Sequence, residues 1–171
     1  MNAADIGITL ERASAALAQS PEKARGTTLP LTATHREGLR FEVRGPGGEV
    51  LHTDMPTALG GEGTAPSPGW LLRAALAACN ATVIAMQAAR RGIRLTRLEV
   101  EAESDTDGRR LLGVDDGAAP VSGLRLLVRI SAQDASEREL RDLVDWAEAH
   151  SPVGCTLRQP PPVTTRVEVL A

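Results

Sequence analysis

Apolar and polar residues alternate in three stretches of the chain, beginning with Leu39, Phe41 and Val43 set between Arg40, Glu42 and Arg44. Leu98, Val100 and Ala102 likewise alternate with Arg97, Glu99 and Glu101, and Leu124, Leu126, Val128 and Ile130 form the third series. A period of two is that of a half-buried β-strand. Thr96 is expected to share the apolar face at the start of the second series. Pro46-Gly47-Gly48 predicts a turn, and residues 49–53 a return strand completing a hairpin. Residues 27–34 predict an edge strand carrying Pro30. Residues 163–170 predict a last strand after three prolines, Pro160 to Pro162.

Helical spacing marks the remaining segments. Residues 1–20 predict a short amphipathic helix anchored by Ile8, Leu10 and Leu17, ended by Ser20-Pro21. Residues 68–91 predict a long helix: Ser67 caps it, Pro68 is preorganised at its first position, and Gly92 ends it. Its middle is apolar on every side, which predicts a buried central helix. Ser136-Glu137-Arg138-Glu139 is a capping box, and Leu140, Leu143, Val144 and Ala147 supply the buried stripe of the helix that follows. Ser151-Pro152 ends or bends that helix. Residues 54–68 and 105–118 read as loops. Strands, long helix, strands, helix, strand is an α+β order, with helices packed on antiparallel sheet.

Composition narrows the function. The chain has 171 residues, one Phe, two Trp and no Tyr, so its core is built from Leu, Val, Ile and Ala. Scarce aromatics argue against single-stranded nucleic-acid binding, and a net charge of −3 leaves no basic footprint for DNA or RNA. Residues 1–20 lack a basic start and a continuous apolar run, so no secretory signal is expected. Arg73, Asn80 and Thr82 interrupt the apolar stretch 71–86, so no membrane span is expected. The chain reads as cytoplasmic. There, two cysteines are free or redox-active rather than a structural staple.

Cys79 stands in the middle of the apolar helix. It is either a small core residue or a nucleophile, and a nucleophilic thiolate so far from the helix N-terminus needs a cation from elsewhere. His35, His52 and His150 have no metal-like spacing with the cysteines, so no metal is expected. The GGEG stretch is not followed by Gly-Lys-Ser/Thr, and no cofactor is expected. His150 is placed to interact with the carbonyl end of its helix. Trp70 anchors a core or interface, or walls an apolar ligand pocket. Arg73 calls for a carboxylate partner or a wet interface.

The segment DMPTALGGEGTAPSPGWLLRAALAAC, residues 54–79, resembles the central signature of the OsmC/Ohr superfamily. The matching features are a D-x-P turn, paired glycines, a P-x-P step and a helix whose apolar run ends in Ala-Ala-Cys. HSPVGCTL, residues 150–157, resembles the family's second-cysteine segment, usually Cys-Pro-Val followed by Thr-Leu. The resemblance runs from about Arg36 to the C-terminus. It implies an intertwined α+β homodimer, antiparallel sheet wrapped around long buried central helices, with sites at the subunit interface. Residues 1–26 are then an N-terminal helical extension and 27–171 an OsmC-like domain.

Active members of that family reduce small organic hydroperoxides. A first cysteine attacks the O–O bond and becomes a sulfenic acid, a second condenses with it, and an external dithiol reductant restores both. An arginine from the N-terminal strands stabilises the thiolate, and a glutamate near the start of the central helix holds that arginine. Cys79 falls on the attacking position. The glutamate position is Gly69, and the second-cysteine position, before Pro152, is Ser151. Arg36, Arg40 and Arg44 are the candidate thiolate-stabilising residues. Cys155, one helical turn past Ser151, is either a displaced resolving thiol or a buried thiol packed behind Leu157. The expected function is thiol-dependent reduction of organic hydroperoxides. The alternatives are a degenerate OsmC-like protein that binds a hydrophobic small molecule, or a sensor of oxidants.

Overall fold

Asn2 opens the first helix of this computed structural model, which describes residues 2–170. Its side chain accepts from the Asp5 N–H and its own N–H donates to the Asp5 carboxylate, a reciprocal cap on α1 (Ala3–Gln19). Gly7 is buried, with Ile6 and Leu10 half-buried beside it. Ile8 and Leu17, expected as anchors, are exposed instead. Ile8 lies about 200° around the helix from Ile6, on the solvent side.

Three short strands follow: β1 (Thr32–His35), β2 (Phe41–Arg44) and β3 (Val50–Thr53). They form an antiparallel sheet in that order, with Ala33 opposite Val43 and Val43 opposite Leu51. Pairing begins after Pro30, which has no N–H to give a ladder, so the edge strand is shorter than 27–34. The alternation of β2 is real, but its burial is inverted. Glu42 is only 9% exposed, whereas Phe41 is 36% exposed and Leu39 and Leu51 are open. The cause is that this sheet packs on no other element of its own chain to any extent.

Ser67 accepts from the Trp70 N–H and Pro68 occupies the first turn of α2 (Pro68–Arg90). Gly92 ends the helix at φ +69°. Leu76, Asn80, Ile84 and Ala88 are buried at a spacing of four. Within a single chain, burial reaches one side only: Trp70, Ala75, Ala78, Thr82 and Met86 are exposed, because only one stripe of α2 meets other elements of its own chain. α2 is long and apolar enough to cross a membrane by length and composition alone, despite Arg73, Asn80 and Thr82, a property the core helix of a globular domain shares. Here its buried stripe packs on α1, on a second sheet and on the helices that follow.

That second sheet pairs β4 (Leu95–Asp105) with β5 (Ser122–Ala132), antiparallel. A short α3 (Gly108–Leu111) interrupts the polar loop between them. An irregularity between Leu95 and Arg97 turns Thr96 outward, where its hydroxyl meets Ser131 Oγ at 2.8 Å. Leu95, not Thr96, therefore joins the apolar side. Ser136 and Glu139 form the reciprocal cap of α4 (Glu137–His150). The core is Ile84, Ala88, Ile93, Leu143 and Ala147, flanked by Leu98, Val100, Val128 and Ile130. After α5 (Pro152–Arg158), residues 163–170 form no strand. Val169 is 91% exposed, and the segment pairs with neither sheet.

Candidate thiol site

Cys79 sits about 16 Å along α2 from its first residue, beyond the reach of the helix N-terminus. It is half-buried, and so is Cys155; both are free. The joint between α4 and α5 comes to the sulfur. Ser151 ends α4 through its N–H on the Ala147 carbonyl, 2.7 Å away, and begins α5 by accepting from the Gly154 N–H. Its hydroxyl donates to Cys79 Sγ at 3.2 Å, and the residue is fully buried. A cap at each end thus fixes the residue whose hydroxyl meets Cys79.

Cys155 is engaged elsewhere. Its thiol donates to the Ala149 carbonyl at 3.3 Å, and Arg158 Nη2 donates to its sulfur at 3.6 Å. His150 stacks on Trp146, ring centroids 3.9 Å apart, and bonds the Trp146 carbonyl. His35 lies against Phe41. Among the described residues no group of His, Cys, Asp and Glu is placed to hold a metal.

The three candidate arginines all pair with carboxylates near their own strands. Arg36 Nη2 and Arg44 Nε both reach Glu42 Oε1, at 2.6 Å and 2.5 Å. The Arg36 bond, then the Arg44 bond, holds the Glu42 carboxyl below its usual range. Arg40 meets Glu37 at 2.6 Å and Glu62 at 3.2 Å. The two sets differ in net charge. Two guanidiniums on one carboxylate leave a positive excess, and one guanidinium on two carboxylates leaves a negative one. Glu42 is the residue that sequence reasoning passed over. Its place on the Arg40 and Arg44 face of β2 was the available signal.

Gly69 leaves its position bare, with nothing within 4 Å of where a Cβ would stand. The loop before α2 is organised by Asp54, which is buried and accepts from the N–H groups of Met55, Glu62 and Thr64 and from the Thr64 hydroxyl. Gly61 is obligatory there, because a Cβ would fall 1.9 Å from the Met55 carbonyl oxygen. The loop in turn presents Glu62 to Arg40.

Two hollows adjoin α2. One of about 300 Å³ is lined by Leu76, Leu124, Leu126, Glu148, Gly154, Leu157 and Arg158, the last donating to the Glu148 carbonyl. A smaller one lies between Trp70, Arg73, Ala77 and Ala102. Arg73 bonds Ser104 Oγ, lines this hollow and has no carboxylate within ion-pair distance among the described residues. Another hollow, about 660 Å³ between β5 and α4, includes neither cysteine.

The sequence model of the family described as OsmC-like protein matches residues 61–166, more than half of the chain. The chain belongs to the OsmC-like protein family. Solved OsmC-like folds agree. An OsmC-like protein from Mycoplasma pneumoniae superposes with a TM-score of 0.67 at 18% identity, covering 80% of this chain and 91% of that one. An organic hydroperoxide resistance protein OsmC from Legionella pneumophila gives 0.53 at 26% identity, covering 78% and 93%. The organic hydroperoxide resistance protein OhrB of Bacillus subtilis gives 0.54 at 21% identity, covering 77% and 93%. Among curated proteins none matches. Within the OsmC-like frame, Cys79 and Ser151 meet, while Arg44 on β2, and Arg36 and Arg40 in the turn before it, belong to a part of the chain that packs little on α2.

Proposed function

We propose that this OsmC-like protein reduces organic hydroperoxides with Cys79 as the attacking thiol. The Ser151 hydroxyl on Cys79 Sγ carries the reading: a buried, doubly fixed donor aimed at a half-buried sulfur. Family membership and neighbours named for organic hydroperoxide resistance support it. In the reaction the Cys79 thiolate attacks the outer peroxide oxygen. An S–O bond forms, the O–O bond breaks, and the alcohol leaves with a proton, giving a sulfenic acid. A thiol from outside then returns the sulfur to its reduced state.

The cation comes from a second copy of the chain in a homodimer. The Arg36–Glu42–Arg44 clamp has positive charge to spare, which Arg40 between two carboxylates does not. The open apolar residues Leu31, Phe41 and Leu51 on the sheet, and Trp70 and Met86 on α2, are the surfaces such a dimer would bury. The compartment is the cytoplasm. Cumene hydroperoxide consumption with dithiothreitol tests the reading. The parent protein should turn over and Cys79→Ser should not; equal rates would end it. The leucine-lined hollow favours one rival, a binder of apolar small molecules. That rival gains if peroxide leaves both thiols untouched while a fatty acid binds.

A further inference from the structure

A cation delivered by a second copy has to be aimed, and the inference drawn here rests on the peroxide-reducing homodimer above. We propose that Arg40 and Glu62 are a positioning pair: they fix the angle between the three-stranded sheet and α2, and so decide where the Arg36–Glu42–Arg44 clamp meets the thiol of the other copy.

Arg40 spans a joint. Its Nη1 donates to Glu62 Oε2 at 3.2 Å and its Nη2 to Glu37 Oε2 at 2.6 Å, so both terminal nitrogens are engaged. Among the described residues, the bond to Glu62 is the only ion pair between residues 32–53 and the rest of the chain. Leu39 adds an apolar contact beside it, its Cδ1 3.8 Å from where a Gly60 Cβ would stand. The sheet packs on no other element of its chain to any extent, so contacts with the loop ahead of α2 set its angle.

Both sides of the joint are stiff. On the sheet side, the Arg36 N–H donates to the Arg40 carbonyl at 3.0 Å and the Arg40 N–H to the Glu37 carbonyl at 2.9 Å. Gly38, at φ +56°, lets the chain make that turn, and His35 Nε2 bonds its carbonyl at 2.9 Å. A shift of Arg40 is thereby carried to Arg36 and the clamp. On the loop side, the Glu62 N–H donates to Asp54 Oδ2 at 3.2 Å, an oxygen that also holds the Thr64 N–H and hydroxyl. Asp54 is 1% exposed, and its own N–H donates to the Pro66 carbonyl, next to the Ser67 cap of α2. Bonds therefore run without a gap from the Arg40 guanidinium to the start of the helix that carries Cys79.

The side chains of Arg40 and Glu62 are 37% and 63% exposed, and so open a pair adds little to folding. Its effect is geometric, because a displacement of about 1 Å at a reacting centre can cost up to about a hundredfold in rate.

The test compares the full chain with Glu62→Gln, Arg40→Gln and the exchanged pair Arg40→Glu with Glu62→Arg. Each single variant should keep its melting midpoint and lose about tenfold in kcat/KM for cumene hydroperoxide, and the exchanged pair should recover most of that loss. Recovery is the telling result, since a glutamate at 40 can rebuild a joint but cannot stabilise a thiolate. No loss in Glu62→Gln, or no recovery in the exchanged pair, overturns the proposal. A second measurement needs no turnover. Nitroxides at Pro46→Cys and Asp142→Cys, both exposed, are placed in a Cys79→Ser, Cys155→Ser chain diluted with unlabelled protein. The distance between them, read by pulsed dipolar spectroscopy, should be narrowly distributed, broaden with Glu62→Gln and narrow again in the exchanged pair. An unchanged width overturns the proposal whatever the rates do. If the parent consumes no hydroperoxide, the reducing reading falls and these distances alone decide the pair.

Discussion

Glu42 carries two guanidiniums on one carboxylate oxygen, and almost none of it is exposed. Without that carboxylate the two like charges would repel and lose their common posture. Glu42→Gln is therefore expected to lower kcat/KM for hydroperoxide by about tenfold while the fold persists, read by steady-state kinetics alongside circular dichroism. Acid should act on the same residue. Its folded carboxyl lies below its ordinary value of 4.5, so its contribution to stability is complete above that value and is lost as pH falls through the lowered one. Asp54 behaves alike. The Thr64 N–H is the chief cause of its depression, and its contribution is complete above 3.8 and lost below. Melting midpoints followed from neutral pH to about 3 should fall less steeply in Glu42→Gln and Asp54→Asn than in the parent. Parallel curves would mean that neither carboxylate is linked to folding.

At the scale of elements, α2 is held by α4 on one side and α1 on another. Leu143 is fully buried in the α4 stripe against Ile84 and Ala88. Leu143→Ala should cost about 3 kcal/mol, a fall in melting midpoint of about 6–12 °C by calorimetry. Gly7 marks the contact with α1. A Cβ there would stand 2.7 Å from the Ala89 carbonyl oxygen, so Gly7→Ala should destabilise by about 1–3 kcal/mol. Ala89 lies about 15 Å along α2 from Cys79, so peroxide turnover of the folded variant should be unchanged. A variant that lost turnover at full foldedness would show that α1 serves the thiol. Elements were the most legible part of the sequence, because their signals are local. Ser67-Pro68, Gly92 and the Ser136–Glu139 box announce helix ends within a few residues of themselves. Thr96 was not legible: a bulge depends on the register of the strand across from it.

At the scale of the molecule, what the sequence withheld was which faces find partners. Alternation in β2 marks two faces but does not say which is covered, and residues 163–170 alternate without a ladder to join. The site was legible as positions and not as contacts. Cys79 and Ser151 are 72 residues apart, and only the fold brings the hydroxyl to the sulfur. The direction of the Cys155 side chain is likewise a tertiary matter. The open apolar face gives a test of assembly. Phe41→Glu should shift the protein from dimer to monomer in analytical ultracentrifugation and remove most peroxide turnover. A dimer of undiminished size and rate would place the interface elsewhere.

One arrangement has a physiological corollary. The sulfur rides on α2 and the surplus positive charge rides on a limb that does not pack against it within its own chain. In the homodimer proposed above, turnover per chain should fall steeply on dilution and recover on concentration, and newly made copies would stay idle until their abundance lets them meet.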